Sequence, residues 1–484
     1  MLGLTCDRYK FDKWPQYAAA IAINLSAVFS GMLAGWPSPT IPQLVKPDTP
    51  VGTVPMTEDQ VSWLSSVAGV SSICVLPFYG WLAERFGRKT TGCFMALPAA
   101  ASWLFILFAN NFYHLLISRL LTGLVHGICF SLVSVYVSEI ADESVRGQLG
   151  SFLGFGINLG IFITFICGAT MSYHSVAICG IIVPLIFFGA FLVMPETPIY
   201  LMRKGNVEKA TRSLMWLRNN DKVAVDRELL QLEKNLMEID SKKSSRLNDL
   251  ISDRGTIKGF IISLGLFGGQ QTSGCSIVIV YTATIFEVAK SSLAPNSAAI
   301  IVALVQIIGS SVAPLIIDRI GRRALILLSC AGMTICHLMF FIFFTLDRHN
   351  YDVSPFSWLP LVALSIYSIA YCMGLGPAAY VVSTEVLKPD IASHGVSISL
   401  IFALLLSFVT TKFFPFVSIK FGEDYSFFIL ALFCIATFLF TFFLVPETKG
   451  RSMVSIFEEL NGKKCDKKTA NDEENFDKNS SIQT

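Results

Sequence analysis

Apolar residues run through this chain in long blocks at about 16–38, 60–83, 90–109, 112–138, 148–171 and 175–194, and again at 257–286, 296–317, 323–346, 357–384, 394–419 and 425–446. Each block approaches or exceeds the roughly 20 residues a helix needs to cross a bilayer core. The pattern predicts an all-α integral membrane protein with twelve transmembrane helices in two six-helix halves, 16–194 and 257–448. Between them, residues 195–256 are dense in charge but keep helical patterning from Val207 to Leu236, which predicts an intracellular helical linker. The flanks read as tails. Residues 1–15 carry Arg8, Lys10 and Lys13 without a signal-peptide cleavage pattern, and 449–484 turn polar and aperiodic from Gly462.

Loop charge orients this bundle, because short cytoplasmic loops collect Lys and Arg. The loop after span two has Arg85, Arg88 and Lys89, that after span four Arg146, and that after span eight Arg319, Arg322 and Arg323. The loop at 110–113 has no base, and those after spans seven and nine have Lys290 and Arg348 alone. Both termini are therefore expected in the cytoplasm, with the plasma membrane as the expected location.

Composition adds exclusions. Hydrophobic residues make up 53% of the chain and charged ones 15%, against about 25% charged in soluble domains, which argues against a soluble enzyme. A net charge of +2 leaves no nucleic-acid footprint. The 12 cysteines lack CxxC spacing and read as small core residues, with no disulfide framework. No GxxxxGK[ST], HExxH or GxSxG occurs, so no nucleotide partner, metal, cofactor or hydrolytic activity is expected. No carboxylate lies between Asp12 and Asp48 in the first span, and the other acids cluster at helix ends. Ion coupling usually needs an intramembrane ionisable group, so facilitated diffusion is preferred.

Internal duplication is the strongest organising signal. Glu84-Arg85-Phe86-Gly87-Arg88 recurs as Asp318-Arg319-Ile320-Gly321-Arg322, 234 residues later. Ser138-Glu139-Ile140 recurs as Thr384-Glu385-Val386 after 246 residues, and Pro195-Glu196-Thr197 as Pro446-Glu447-Thr448 after 251. Two halves related by an axis along the membrane normal are implied. These motifs put opposite charges at cytoplasmic helix ends. Glu84, Arg85, Arg88, Arg119, Glu139, Arg146, Glu196, Asp318, Arg319, Arg322, Arg323, Glu385 and Glu447 are therefore expected to form an intracellular charge network that holds the halves together when the protein faces outward. Arg119 is either buried and paired, with Glu84 or Glu139 as partner, or sits at the membrane interface. His126 reads as a packing residue rather than a proton relay.

Span seven contains Gly268-Gly269-Gln270-Gln271-Thr272-Ser273-Gly274, a polar break whose amides could bind hydroxyls or simply join helices. Gln306 in span eight, and Gly374-Leu375-Gly376-Pro377 with Tyr380 in span ten, could complete a site.

These motifs, with Arg146-Gly147, Pro195-Glu196-Thr197-Pro198, Gln270-Gln271-x-Ser273-Gly274 and Pro446-Glu447-Thr448-Lys449-Gly450, resemble the sugar porter family of the major facilitator superfamily over residues 16–451. Asn158-x-Gly160 and Thr411-Lys412 resemble the insect facilitated trehalose transporters most. The resemblance implies the major facilitator fold, alternating access, and a small-molecule substrate, a sugar of the trehalose or glucose class, bound by Gln270, Gln271, Ser276, Gln306 and Tyr380. It also exposes departures. Ser276 and Gln306 stand where the family has Asn and Tyr380 where it has Trp, while Gly154 and Cys372 stand where the glucose transporters have Gln and Glu. Ala403-Leu404 replace Asn-Trp and Ala392 replaces Arg, leaving Lys388 to supply that charge. Fewer amides imply weak glucose binding, since each unpaired hydroxyl loses about 1–3 kcal/mol. A carrier of another small organic solute, or a transport-inactive sensor or scaffold, is the alternative.

Overall fold

The protein is described from a computed structural model covering residues 13–241, 253–451 and 453–461. The expected tails fall largely outside these residues. The first half comprises α1 (Trp14–Gly35), α2 (Pro37–Leu44), α3 (Glu58–Phe86), α4 (Arg88–Leu107), α5 (Phe112–Ile140), α6 (Glu143–Thr170) and α7 (Tyr173–Leu192). Three shorter helices follow, α8 (Pro198–Arg203), α9 (Val207–Leu217) and α10 (Lys222–Ser241). The second half comprises α11 (Arg254–Thr272), α12 (Cys275–Val288), α13 (Pro295–Ile320), α14 (Arg322–Arg348), α15 (Leu359–Met373), α16 (Leu375–Glu385), α17 (Pro389–Phe421) and α18 (Glu423–Leu444), and α19 (Met453–Leu460) closes the described chain.

Eleven spans among the described residues are long and apolar enough to cross a membrane, with α1 and α2 counted as one and α15 with α16 as another. The seventh run is broken at the end of its glycine-rich polar stretch. Gly274 takes φ +93°, a left-handed conformation, and ends α11 before α12 begins. Together α11 and α12 still cover the length of a span. Span one is also interrupted, at Trp36, where Pro37 cannot donate an amide to the carbonyl four residues back.

Packing repeats across the two halves. In the first, α1 lies against α6, α4 against α7, and α3 against α5; in the second, α11 lies against α17, α14 against α18, and α13 against α15. The α1–α6 approach is close enough that a Cβ on Gly160 would meet the Val28 carbonyl oxygen at 2.0 Å, the small-residue packing that takes the place of hydrophobic driving force within a bilayer. The halves touch through α3 with α17, α6 with α13, and α2 with α12.

Alternation of spans puts the start of α1, α8 to α10 and α19 on one side, here the terminal side, and the α2 and α12 ends on the far side. On that far side Ser38 Oγ accepts from the Ala283 amide at 3.1 Å. Lys412 Nζ lies 2.8 Å from Asp59 and donates to Ser62 Oγ at 2.7 Å, over the Trp63 ring. Lys46 and Glu287 are 3.8 Å apart. Among the described residues, these hydrogen bonds and ion pairs fasten the two halves on the far side.

Candidate substrate site and gates

The break in span seven gathers the polar side chains. Gln270, buried, donates its amide to the Gly376 carbonyl at 2.9 Å and so ties α11 to the Gly-Pro turn of α16. Gln271, half-buried, accepts from Ser276 Oγ at 3.1 Å, and Ser276 in turn lies 2.7 Å from Ser407 Oγ on α17. Because Ser276 spends its proton on Gln271, Ser407 donates to it. Tyr380 stands edge-on to Phe267 with ring centres 4.8 Å apart. Gln271, Ser276 and Tyr380 are all half-buried around the joint, whereas Gln306 is buried on α13 and, among the described residues, no hydrogen bond joins it to this cluster. Ser407 was missed by motif reading, and its signal is positional. It falls one turn beyond Ala403, restoring a hydroxyl near the place where the family's amide is lost.

On α6, Gly147, Gly150 and Gly154 have no heavy atom within 4 Å of a would-be Cβ. Gly150 lines a cleft of about 130 Å³ with Ser134, Ser138, Arg146 and Leu153, so the missing Gln at 154 leaves space rather than a substitute contact. Cys372 is buried against Gly309 of α13.

The break also frees a backbone carbonyl. Ser273 O accepts from His337 Nε2 at 2.9 Å and from the Tyr367 hydroxyl at 3.1 Å, which fixes His337 as the Nε2–H tautomer. In the first half, Leu33 O loses its helical donor to Pro37 and instead accepts from Arg119 Nη1 at 2.6 Å, while Arg119 Nε donates to Leu64 O at 3.0 Å. Arg119 is therefore not paired with Glu84 or Glu139. Glu139 is twenty residues further along the same helix, about 30 Å away, and the carbonyls satisfy the guanidinium. His126 donates to or accepts from Ser30 Oγ at 3.0 Å, a packing role.

The expected charge network resolves into pairs within each half. Arg88 binds Glu84 at 2.9 Å and Glu139 at 3.0 Å, and Arg322 lies 3.5 Å from Glu385. Among the described residues, these ion pairs each stay within one half. One oxygen of Glu139 and one of Glu385 are buried without a hydrogen bond. Arg85 lies over the Trp81 and Phe86 rings instead of an acid. Arg146 donates to the Ala141 carbonyl, and Arg323 to the Phe442 carbonyl. The Arg319 carbonyl accepts from Lys449, and the side chain of Asp318 lies outside the described residues. Lys388 does not compensate for Ala392, because it is bound to Asp253 at 2.5 Å and over the Phe457 ring.

Glu196 and Glu447 have a role that ion-pair reasoning missed. Glu196 accepts from the amides of Arg88, Lys89 and Thr197 at 2.9–3.1 Å, and Glu447 from those of Arg322, Arg323 and Thr448 at 3.0–3.2 Å. Each carboxylate thus caps the start of α4 or α14, where unsatisfied amides and the helix dipole favour negative charge. Burial nonetheless raises the Glu196 carboxyl above its ordinary value, against the amides of Thr197, Lys89 and Arg88 and the Arg88 charge.

Two helical halves that pack alike and are fastened on the far side, with a polar cluster at a broken helix, define a membrane carrier of the major facilitator fold. The chain belongs to the family described as Sugar (and other) transporter, whose sequence pattern matches residues 21–460. It is 32% identical over 451 residues to the Facilitated trehalose transporter Tret1 of Polypedilum vanderplanki, spanning 93% of this chain and 89% of that protein. The Bombyx mori protein of the same name is 31% identical over 452 residues, spanning 93% and 88%. Among solved structures, the inward open conformation of the xylose transporter XylE from E. coli matches with a TM-score of 0.75 at 19% identity, over 92% of this chain and 99% of that one. The proton:xylose symporter XylE bound to 6-bromo-6-deoxy-D-glucose matches with a TM-score of 0.72 at 19% identity, over 93% and 99%. The expected fold and family are borne out.

Proposed function

We propose that this protein is a facilitative carrier of a sugar of the trehalose or glucose class, working by alternating access in the plasma membrane with both termini in the cytoplasm. Its partners are that solute and the lipid bilayer. The observation that carries this reading is the Gln271–Ser276–Ser407 cluster at the joint of span seven, between halves fastened on the far side. Serine hydroxyls and a glutamine amide can each donate and accept, which suits a polyhydroxy ligand, and the trehalose transporters among the relatives support the class. The Lys and Arg bias of the loops supports the orientation.

The test is uptake of radiolabelled trehalose and glucose into expressing cells, with Gln271→Ala as control. Saturable uptake is expected, reduced about tenfold in the variant, as befits the loss of one hydrogen bond to a polar ligand. Collapsing the proton gradient should leave the rate unchanged, whereas a proportional loss would reveal ion coupling. Absence of uptake of both sugars by protein at the cell surface would reject the reading in favour of another small organic solute, which the open position at Gly154 would accommodate.

A further inference from the structure

We infer that His337 and Tyr367 are positioning residues of the far-side gate, acting through the Ser273 carbonyl. They do so without contact to the polar cluster at Gln271. A carbonyl at a helix end has no intrahelical donor, and inside a bilayer no water replaces it. Ser273 O is such a group, one residue before the left-handed Gly274, and both of its donors come from elements outside the broken span, α14 and α15. The donors are buried, at 1% exposure for His337 and 2% for Tyr367, and their rings pack 5.1 Å apart.

The joint they hold connects two parts with different duties. On one side α11 lies against α16, α17 and α18 of its own half. On the other, α12 reaches across to α2, where Ala283 meets Ser38. For the far side to open, α12 must swing away from α2 while α11 stays with its half, and the turning point is the Ser273–Gly274 peptide. The two hydrogen bonds fix the orientation of that carbonyl and therefore belong to the closed arrangement. The first half repeats the device. There Pro37 removes the donor to Leu33 O, Arg119 from α5 replaces it, and the segment beyond the bend is α2, the other member of the far-side contact. In both halves a side chain from the fourth span holds the carbonyl freed at the bend of the first. A residue that merely packed would not need to present a donor to that atom twice over.

This inference rests on the alternating-access reading but not on the identity of the solute, and its test uses no substrate. Ala283 is fully buried at the α2–α12 contact, so Ala283→Cys reports far-side opening through its reaction with a membrane-impermeant thiol reagent, measured above the background of the parent. Adding His337→Leu is expected to raise the labelling rate about tenfold, as loss of one hydrogen bond to a buried carbonyl shifts the equilibrium toward opening. Tyr367→Phe, which keeps the ring and removes only the hydroxyl, is expected to do the same. His337→Gln retains an N–H donor and should return the rate toward that of Ala283→Cys alone. Unchanged labelling in Tyr367→Phe would overturn the inference, and so would a His337→Gln rate equal to that of His337→Leu, since size rather than donation would then be at work.

Discussion

Glu196 is a carboxylate held by three backbone amides at the mouth of α4 and still pushed upward by its burial. A raised carboxyl holds its proton to higher pH in the folded chain than in the unfolded one, so its contribution to stability is complete in acid and declines as pH rises through the folded value. The thermal midpoint of the parent relative to Glu196→Gln should therefore fall between about pH 4 and about pH 7 in detergent unfolding. A rise over that range would mean that the amides favour the charge more than burial opposes it. Sequence reading found the acid and its repeat but assigned both to arginine partners. A carboxylate near a run of bases suggests ion pairing, whereas capping depends on where the chain returns in space, 108 residues later for Arg88. Arg119 was misread for a similar reason, since backbone carbonyls left bare by a distant proline carry no sequence signature.

At the level of the element, the loop between α3 and α4 turns through Gly87 at φ +95°, and its counterpart between α13 and α14 through Gly321 at φ +107°. A Cβ at Gly87 would lie 2.2 Å from a Glu196 oxygen, and one at Gly321 2.9 Å from a Glu447 oxygen. Gly87→Ala combines a disfavoured backbone with displacement of the cap and should destabilise by about 2–3 kcal/mol. Gly321→Ala, with more room, should cost less. Thermal unfolding of the two purified variants checks the order, and equal losses would show that the backbone alone decides. These loops were legible because their motifs recur in order. The division of span seven was legible from its glycine-rich polar stretch at 268–274 rather than from hydropathy, since Leu266-Phe267 before it and Ile277-Val278 after it are equally apolar.

Across the whole molecule, the arrangement depends on a latch far from the charged motifs. Lys412 reaches from α17 to Asp59 and Ser62 of α3, and Asp59 itself is largely exposed. A pair of this kind is worth about 1 kcal/mol, so Lys412→Met should shift the equilibrium toward far-side opening about fivefold, measurable as faster thiol labelling at Ala283→Cys. No change would place the closing energy in the apolar contacts of Ile161 and Phe165 with Ala299 and Ala303. Span number and the relation between halves were readable from hydropathy and repeats. The conformation was not, because a sequence that serves two states carries the contacts of both.

The bend in span one has an implication for how this chain can vary. Pro37 removes an amide, and Arg119, eighty-two positions away, supplies the missing proton. The two act as one structural unit. With an ordinary residue at 37, the helix would serve its own carbonyl and the guanidinium would lose one of its two acceptors inside the bilayer. Pro37→Ala should therefore make Arg119 replaceable, and a lineage that gives up one of the pair should be free to give up the other.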